Sequence, residues 1–389
     1  MKQIIAFIKR ETVLVITGVL AVVSMLFVCP DRRYISYIDF KTLTVLFSLM
    51  AIVAGCREIG VFDRVAAYLL SHVQRVRGLV ICLVLLCFFL SMFITNDVAL
   101  ITFVPFTIAV MDRLDSQIRD RWMQKTVIMQ TIAANLGSML LPIGNPQNLY
   151  LYGKSGKTIG NFIGLLLPYS FVSFLLLIGW ILIAAGKNND KRTEENAIRE
   201  AVTAFQKGKR EVSQKEKRSF FCYLILFILC LLAVGHQISY WFPFGIILIY
   251  CILFHRTLLK KVDYSLLATF LFLFVFIGNI GRLPVFCALL QKLLAGREMI
   301  ISVLTSQIMS NVPAAILLSG FTKEYDALLI GTNLGGLGTL IASMASLISF
   351  RYMAGSPKGK QGYVCRFTIA NLAFLLVLLL VYGLMRVTA

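Results

Sequence analysis

Long apolar runs dominate this sequence and decide what it can fold into. Residues 79–110, 160–185 and 362–386 hold apolar stretches at least as long as the roughly 20 residues that cross a bilayer as a helix, and further runs recur along the chain. Hydrophobic residues make up 58% of the chain and charged residues 15%, whereas soluble domains contain about 25% charged residues. The sequence therefore predicts an all-α polytopic membrane protein and excludes soluble, fibrous and disulfide-stapled classes.

Basic residues are in excess and are concentrated in one place. Lysine and arginine number 38 against 19 acidic residues, a net charge of +19, and many of them lie in residues 186–218. Basic loops of membrane proteins stay in the cytoplasm. We therefore expect this loop and the N-terminus to be cytoplasmic, in an integral protein of the bacterial inner membrane. The expected partner of these charges is the lipid bilayer and not nucleic acid.

Short motifs of the first half recur in the second half in the same order. Residues 39–43 (DFKTL) match 263–267 (DYSLL), 95–96 (TN) match 310–311 (SN) at a separation of 215, and 134–138 (ANLGS) match 332–336 (TNLGG) at 198. Transporter folds often contain repeats of inverted topology. We therefore predict a first transmembrane repeat over 1–185, a basic cytoplasmic loop over 186–218 and a second transmembrane repeat over 219–389. Chance similarity among apolar helices is the alternative.

Each predicted repeat contains an apolar segment with a polar interruption at its centre. Residues 79–110 are too long for one helix and short for two complete crossings with a turn. A re-entrant hairpin of two half-helices, with residues 95–97 at its tip, fits this length. The repeat predicts a second hairpin over 299–321 with its tip at 310–311. The candidate tip residues are Thr95, Asn96, Asp97, Ser310 and Asn311.

Each predicted repeat also contains an apolar segment rich in asparagine, glycine or proline. Because proline lacks an amide donor and glycine frees the backbone, residues 126–150 and 324–350 predict two broken helices. Broken helices expose amides that attract anions and carbonyls that bind cations. The alternative is that the glycines only allow close helix packing. The candidate residues are Asn135, Gly137, Ser138, Gly144, Asn145, Asn148, Thr332, Asn333, Gly335 and Gly336.

The tip segment SMFITNDVALITFVPF, the break ANLGSMLLPIGNPQNLY and the later SNVPAAILL resemble the ion transporter superfamily, in particular its citrate-transporter-like and arsenite-permease-like members. The similarity covers residues 10–386. It implies an ion-coupled secondary transporter that moves a small anion or oxyanion, such as a carboxylate or arsenite, by alternating access. It also implies coupling to sodium or protons, and a homodimer is expected because relatives of this architecture are often dimers. The sequence offers no convergent nucleophile, base or metal set for an enzyme, and no cofactor is expected.

In divalent anion symporters of this superfamily, each tip carries Ser-Asn-Thr, which holds a substrate carboxylate beside sodium. Thr95 and Asn96 match the first tip, and Ser310 and Asn311 match the second, which places sodium near Asn96, Asp97 and Asn311. Aspartate at 97 and valine at 312 depart from that pattern and put dicarboxylate recognition in doubt.

Asp97 carries the coupling hypothesis. An intramembrane carboxylate costs at least ~2.5 kcal/mol unless it is paired or hydrated, so a functional role is the first expectation. The alternative is a structural N-cap of a helix that starts at Val98. Two further functional classes remain open from the sequence: a sodium/proton antiporter that uses Asp97, and a membrane-embedded enzyme.

Overall fold

The computed structural model describes residues 11–73, 75–185, 213–355 and 361–388, and all regular structure within them is helical. The α-helices are α1 (Thr12–Phe27), α2 (Tyr34–Tyr37), α3 (Phe40–Glu58), α4 (Val61–Leu70), α5 (Val76–Ile94), α6 (Asn96–Met111), α7 (Ser116–Gly137), α8 (Pro146–Ser155), α9 (Ile159–Ala185), α10 (Gln214–Val234), α11 (Trp241–Phe254), α12 (Arg256–Leu259), α13 (Tyr264–Ile280), α14 (Pro284–Leu294), α15 (Glu298–Met309), α16 (Asn311–Ser319), α17 (Tyr325–Leu334), α18 (Met344–Ala354) and α19 (Tyr363–Thr388). The all-α prediction is confirmed.

Among the described helices, five are long and apolar enough to cross a membrane: α3, α5, α9, α10 and α19. The pair α13 and α14 passes the same test together, with a bend of 105° at the break between them. Pro284 begins α14, a position at which the missing amide of proline removes no helical hydrogen bond. These helices agree with a polytopic membrane protein, as the composition predicts.

The chain forms two compact units. Unit 1 contains Met1–Gly55, Pro146–Thr158 and Cys222–Thr332, and unit 2 contains Cys56–Asn145, Ile159–Phe221 and Asn333–Ala389. Each unit therefore combines residues from both halves of the sequence. The repeats over 1–185 and 219–389, with their inverted topology, stay a prediction. The predicted cytoplasmic loop lies largely outside the described residues, which resume at 213.

In unit 1, α1 packs along α13. The buried Asn279 side chain donates to Ser24 Oγ at 2.9 Å, which joins the two helices through a polar bond in an apolar contact. At the end of α13, a Cβ on Gly278 would lie 2.3 Å from the ring of Tyr37, so only glycine allows this ring to approach. Beyond it, the Arg282 guanidinium donates to Asp31 Oδ2 at 2.8 Å.

A second contact of unit 1 joins α8 to α16, the helix that follows the second predicted tip. The hydroxyl groups of Tyr150 and Ser319 are 3.0 Å apart and share a hydrogen bond. The Tyr150 ring also packs on Phe270 and Phe274 of α13, with ring centroids 6.4 and 5.6 Å away. These contacts fix α8 against the second hairpin segment.

Unit 2 is built around α7, which packs against α5, α6, α9 and α18. The side chains of α7 from Thr126 to Gly137 are buried, so this helix forms the centre of the unit. A Cβ on Gly137 would lie only 2.1 Å from the carbonyl oxygen of Phe88 in α5. Because that oxygen belongs to the backbone and cannot rotate away, glycine at 137 is required for α5 to lie against the end of α7. Close packing is therefore part of the role of this candidate residue.

Candidate functional site

The two predicted tips have the same local backbone. Helix α5 ends at Ile94, Thr95 has φ 68° and ψ 151°, and α6 begins at Asn96. In the second half, α15 ends at Met309, Ser310 has φ 75° and ψ 154°, and α16 begins at Asn311. Residues other than glycine rarely adopt a backbone conformation with such a positive φ, which costs about 1–3 kcal/mol for each residue. A single strained residue thus separates the two helices at each tip and leaves an asparagine at a helix N-terminus.

Asp97 lies inside α6 and is not the N-cap residue that the structural alternative expected. Helix α6 begins at Asn96, so Thr95 precedes the helix and Asp97 already belongs to its first turn. The expectation of an Asp97 cap on a helix starting at Val98 is therefore wrong by two residues. The Asp97 side chain is half-buried, and the positive end of the α6 dipole stabilises its charge there.

The first break spans Ser138 to Asn145. After α7 come a 3-10 turn over Ser138–Leu140, extended backbone at Leu141, a second 3-10 turn over Pro142–Gly144 and extended backbone at Asn145. A Cβ on Gly144 would lie 2.0 Å from the carbonyl oxygen of Ser138, so the two turns close on each other only with glycine there. The helical hydrogen-bond ladder stops over this stretch, as its proline and glycines predict.

The second break ends in the same way. A 3-10 turn over Leu340–Ala342 is followed by extended backbone at Ser343 and by the start of α18 at Met344. These positions lie 198 residues after Pro142–Gly144, Asn145 and Pro146, the same separation that relates Asn135 to Asn333. Ser343 has φ −144° and ψ 139°, and Asn145 has φ −143° and ψ 145°. The two breaks therefore share one local geometry.

Asn135 is the centre of a buried hydrogen-bond network in unit 2. Its Oδ1 accepts from Asn96 Nδ2 at 3.0 Å and from Ser343 Oγ at 3.0 Å. Its Nδ2 donates to the carbonyl oxygen of Gly336 at 3.4 Å. One side chain thus joins the first tip to both sides of the second break. We call Asn96, Asn135, Gly336 and Ser343 the Asn135 network.

A second buried network lies within the same unit and consists of Ser138, Asn145 and Asn333. The Ser138 hydroxyl is 2.9 Å from Asn145 Oδ1 and 3.0 Å from the carbonyl oxygen of Asn135, and it can donate to either. Asn145 Nδ2 donates to Asn333 Oδ1 at 3.3 Å. We call these residues the Asn145 network. In both networks the polar residue that ends one break bonds to the asparagine that precedes the other break.

The electrostatics of the Asn135 network follow from the helices that end there. Asn96 is the first residue of α6, and Ser343 directly precedes the first residue of α18. Both side chains contact Asn135 Oδ1, so two helix N-termini meet at one point of unit 2. Each N-terminus carries about half a positive charge and several amides that no helical acceptor uses. This arrangement attracts anions without a fixed cation.

The remaining candidates are placed differently. Gly335 lies buried next to Gly336 in unit 2, whereas Asn148, Ser310, Asn311 and Thr332 are buried in unit 1. The Thr332 hydroxyl donates to the carbonyl oxygen of Leu328 at 2.7 Å, an ordinary bond within its own helix. The contribution of these five candidate residues to substrate binding stays a prediction. Across the described ranges, His, Cys, Asp and Glu side chains form no group of three that could hold a metal ion.

The sequence reasoning missed Ser343. This serine is 1% exposed and contacts Asn135, which makes it as central to the network as Asn96. Its surroundings, GTLIASMA, contain no asparagine or proline that would mark it. The signal was the repeat separation of 198, which relates Ser343 to Asn145 once the alignment of the two breaks is extended.

The comparisons with known proteins agree with a polytopic membrane protein. A model of the citrate transporter family matches residues 3–325. The protein is thus a membrane transporter and not an enzyme. The chain belongs to the citrate transporter family, so the resemblance to citrate-transporter-like proteins is confirmed, whereas the arsenite-permease and symporter assignments stay predictions.

Individual relatives extend this result. An uncharacterized transporter of Methanocaldococcus jannaschii is 33% identical over 319 residues, which are 82% of this chain and 82% of the relative. The Escherichia coli inner membrane protein YbiR is 30% identical over 322 residues, 81% of this chain and 80% of that protein. The human P protein is 34% identical over 154 residues, 38% of this chain and 18% of that protein.

Proposed function

We propose that the protein is an ion-coupled secondary transporter that moves a small anion or oxyanion across the membrane by alternating access. The observation that supports this proposal most directly is the Asn135 network, in which the N-termini of α6 and α18 meet at one buried amide. The networks contain amide and hydroxyl groups, whose N–H and O–H can donate to an anion and bind it reversibly through partial charges. A transporter must release its substrate, and neutral donors serve this better than a buried arginine would.

The coupling ion is proposed from Asp97, next to Asn96 at the start of α6. An anion at the α6 N-terminus and the Asp97 carboxylate repel each other unless a cation or a proton lies between them. A proton on Asp97, or sodium beside it, removes this repulsion, so binding of the anion and of the cation become linked. The similarity to an Escherichia coli inner membrane protein supports placing this protein in a plasma membrane.

The two breaks support alternating access. Two of the places where the chain passes between the units lie at the breaks. One follows Asn145, at the end of the first break, and another follows Thr332, two residues before α17 ends at Leu334 and the second break begins. Backbone without a helical ladder bends at lower cost than an intact helix. The breaks are therefore suitable hinges for a cycle that moves the binding site between the two faces of the membrane.

The test is uptake into proteoliposomes. Purified protein is reconstituted and supplied in turn with radiolabelled citrate, succinate, phosphate and arsenite, with and without an inward sodium or proton gradient. We expect one of these anions to accumulate only with a gradient. Gradient-driven sodium/proton exchange without movement of any of these anions would instead identify an antiporter that uses Asp97.

Two variants connect this assay to the site. Asn96→Ala removes a donor at the α6 N-terminus and is expected to abolish uptake. Asp97→Asn keeps the shape of the tip but removes the charge, so anion exchange should persist while gradient-driven accumulation is lost. Accumulation by Asp97→Asn with unchanged sodium and pH dependence would show that Asp97 has no part in coupling.

A further inference from the structure

Helix α14 leaves α13 at nearly a right angle. Helix α13 contains 17 residues, Tyr264–Ile280, and the chain turns by 105° before α14 begins at Pro284. At a rise of 1.5 Å per residue, α13 is about 26 Å long, close to the ~30 Å hydrocarbon core of a bilayer. Since α13 nearly spans this core by itself, α14 has no core left to cross and can lie along its surface.

The bend between the two helices lies where polar and aromatic groups gather. Arg282 donates to Asp31 Oδ2 at 2.8 Å and to the Tyr37 hydroxyl at 3.1 Å. The Tyr37 ring packs on the ring of Tyr34, with centroids 5.2 Å apart. Tyrosine rings are typical of the boundary between acyl chains and water, and charged groups are disfavoured in the core. Helix α13 therefore ends at this boundary, and α14 starts from it.

The side chains of α14 form three faces at roughly 120° to one another. The face toward the protein is buried or half-buried and contains Cys287, Leu290 and Leu294. The second face is apolar, with side chains that are 51–80% exposed, and contains Val285, Phe286, Leu289 and Leu293. The third face is exposed and more polar, and contains Ala288, Gln291 and Lys292.

These three faces suit one environment. An exposed apolar face is disfavoured in water, and a lysine is disfavoured in the hydrocarbon core. A helix that lies in the boundary between the two can turn its apolar face to the acyl chains and its polar face to water. The third face of α14 packs on the protein, so each face has a suitable neighbour in this position.

Two cations without a counter-charge lie at the end of α14. Lys292 and Arg297 are exposed, and neither forms an ion pair with another described residue. The nearby Arg282 is paired with Asp31. Glu298 is buried, and its Oε1 accepts from the Gly296 amide at 3.2 Å. The net positive charge beside the apolar face is therefore available to an anionic group.

We propose that α14 lies in the boundary between lipid and water and binds an anionic phospholipid there. The acyl chains pack on the exposed apolar face, and the phosphate lies beside Lys292 and Arg297. Lys292 follows Val285 by seven residues, about two helical turns, so its charge borders the apolar face. Its long aliphatic stem can lie along that face while the ammonium reaches the headgroup.

This lipid would act on the second predicted hairpin. Helix α14 joins α13 to α15, the first helix of that hairpin, and all three belong to unit 1. A phospholipid bound along α14 would hold the entry of the hairpin at the membrane surface.

The first test measures the depth of α14 in reconstituted vesicles. The three native tryptophans are replaced by phenylalanine, and Leu289→Trp supplies a single reporter on the apolar face. The quenchers are phosphatidylcholines brominated near the headgroup end or near the methyl end of the acyl chain. Leu376→Trp is the matched control, because Leu376 is 61% exposed near the middle of the apolar helix α19. Ala288→Trp reports on the polar face.

We expect the shallow bromines to quench Leu289→Trp at least about twice as strongly as the deep ones, since interfacial helices insert their apolar face only about 5–10 Å. Leu376→Trp should show the opposite order. Ala288→Trp should be quenched less than Leu289→Trp by either lipid. Stronger quenching of Leu289→Trp by the deep bromines, or none by either lipid, would refute the interfacial position.

The second test measures the headgroup preference. Leu289→Trp is reconstituted in equal amounts of phosphatidylglycerol and phosphatidylcholine, with the bromines on one lipid or on the other. Each basic residue near an anionic surface strengthens binding about fivefold, so brominated phosphatidylglycerol should quench at least about twice as strongly. High salt should remove this preference, because both cations are exposed.

Variants of the two cations separate a binding site from a general surface charge. Lys292→Gln with Arg297→Gln should bring the quenching by the two lipids to the same level, whereas Lys292→Arg should keep the preference. Lys323→Gln is the control, because Lys323 is an exposed cation of unit 1 outside this segment, and it should also keep the preference.

Three results would overturn the lipid site. They are equal quenching by the two lipids in the parent protein, a preference that survives the double variant, and a preference that inorganic phosphate removes at constant ionic strength. The last result would assign the two cations to a free phosphate. Neither test requires a transported substrate, so both are independent of the outcome of the uptake assay.

Discussion

Replacing Asn135 by alanine should destabilise unit 2 more than the loss of an ordinary buried amide. The variant leaves Asn96 Nδ2 and Ser343 Oγ without their acceptor, each lost from a bond of 3.0 Å. A buried polar group left without a partner costs about 1–3 kcal/mol. The two short bonds give about 2–6 kcal/mol together, and the long bond to Gly336 adds little.

The expected effect is large enough to measure in detergent. For a unit of this size, each kcal/mol lowers the midpoint of thermal unfolding by about 2–4 °C, so Asn135→Ala should melt on the order of 10 °C earlier. Ser343→Ala removes only one donor, and Asn135 Oδ1 keeps its bond from Asn96. We therefore expect about 1 kcal/mol for the serine variant.

Asn371 provides the matched control. It is fully buried in α19, and its Nδ2 donates to the carbonyl oxygen of Phe367 at 2.9 Å, within its own helix. Asn371→Ala removes a hydrogen bond within one helix and no bond between helices, so it should lower the midpoint of thermal unfolding by only a few degrees. The assay is loss of the monodisperse peak in size-exclusion chromatography after heating. A midpoint for Asn135→Ala no lower than that of Asn371→Ala would refute the central role of Asn135.

Three further outcomes are expected. Asn311→Ala should abolish uptake at normal expression, measured in the proteoliposome assay, and normal uptake would contradict the predicted contribution of the second tip to binding. Gly137→Ala should cost at least about 1–3 kcal/mol of stability because its Cβ would meet a backbone carbonyl of α5, whereas Gly179→Ala, with no neighbour within 4 Å, should melt no earlier than the wild type. Burial and the Lys41 ammonium, whose Nζ donates to Nδ1 at 2.9 Å, lower the pKa of His236. The neutral His236 ring therefore contributes stability that is complete above about pH 6.5 and is lost as the pH falls through its lowered pKa. Lys41→Met should raise the pKa of His236 in an NMR titration.

The sequence predicts the helices and the breaks because both depend on local chemistry. Apolar runs predict α5 and α9, and Pro142 with Gly144 predicts the end of α7. These features need no knowledge of distant neighbours. Asn96 and Asn135 are candidates for the same reason, since an amide within an apolar stretch needs a partner somewhere in the fold.

The partners of those amides could not be predicted from local pattern. Asn135 bonds to Ser343, which lies 208 residues further along the chain, and Asn145 bonds to Asn333. A hydrogen bond about 3 Å long depends on how helices pack, and no periodicity in the sequence encodes that packing. The separation of 198 between the breaks identifies Ser343 as a candidate only when the two breaks are known to share one backbone geometry.

Four of the five places where the chain passes between the units form two neighbouring pairs, and this bears on the proposed transport cycle. In unit 2, Asn145 is the last residue before one crossing and Asn333 the first after another, and their side chains share a hydrogen bond of 3.3 Å. In unit 1, Gly55 precedes the crossing within α3, and Tyr223 follows the crossing within α10 by one residue. A Cβ on Gly55 would lie 2.5 Å from the Tyr223 ring, so these two residues also touch. The first pair joins two broken helices and the second pair joins two continuous ones. Because a continuous helix resists bending and a break does not, movement between the units should concentrate at the Asn145 and Asn333 pair. These two asparagines belong to the network beside Asn135, so the hinge and the proposed anion site would respond to the same hydrogen bonds.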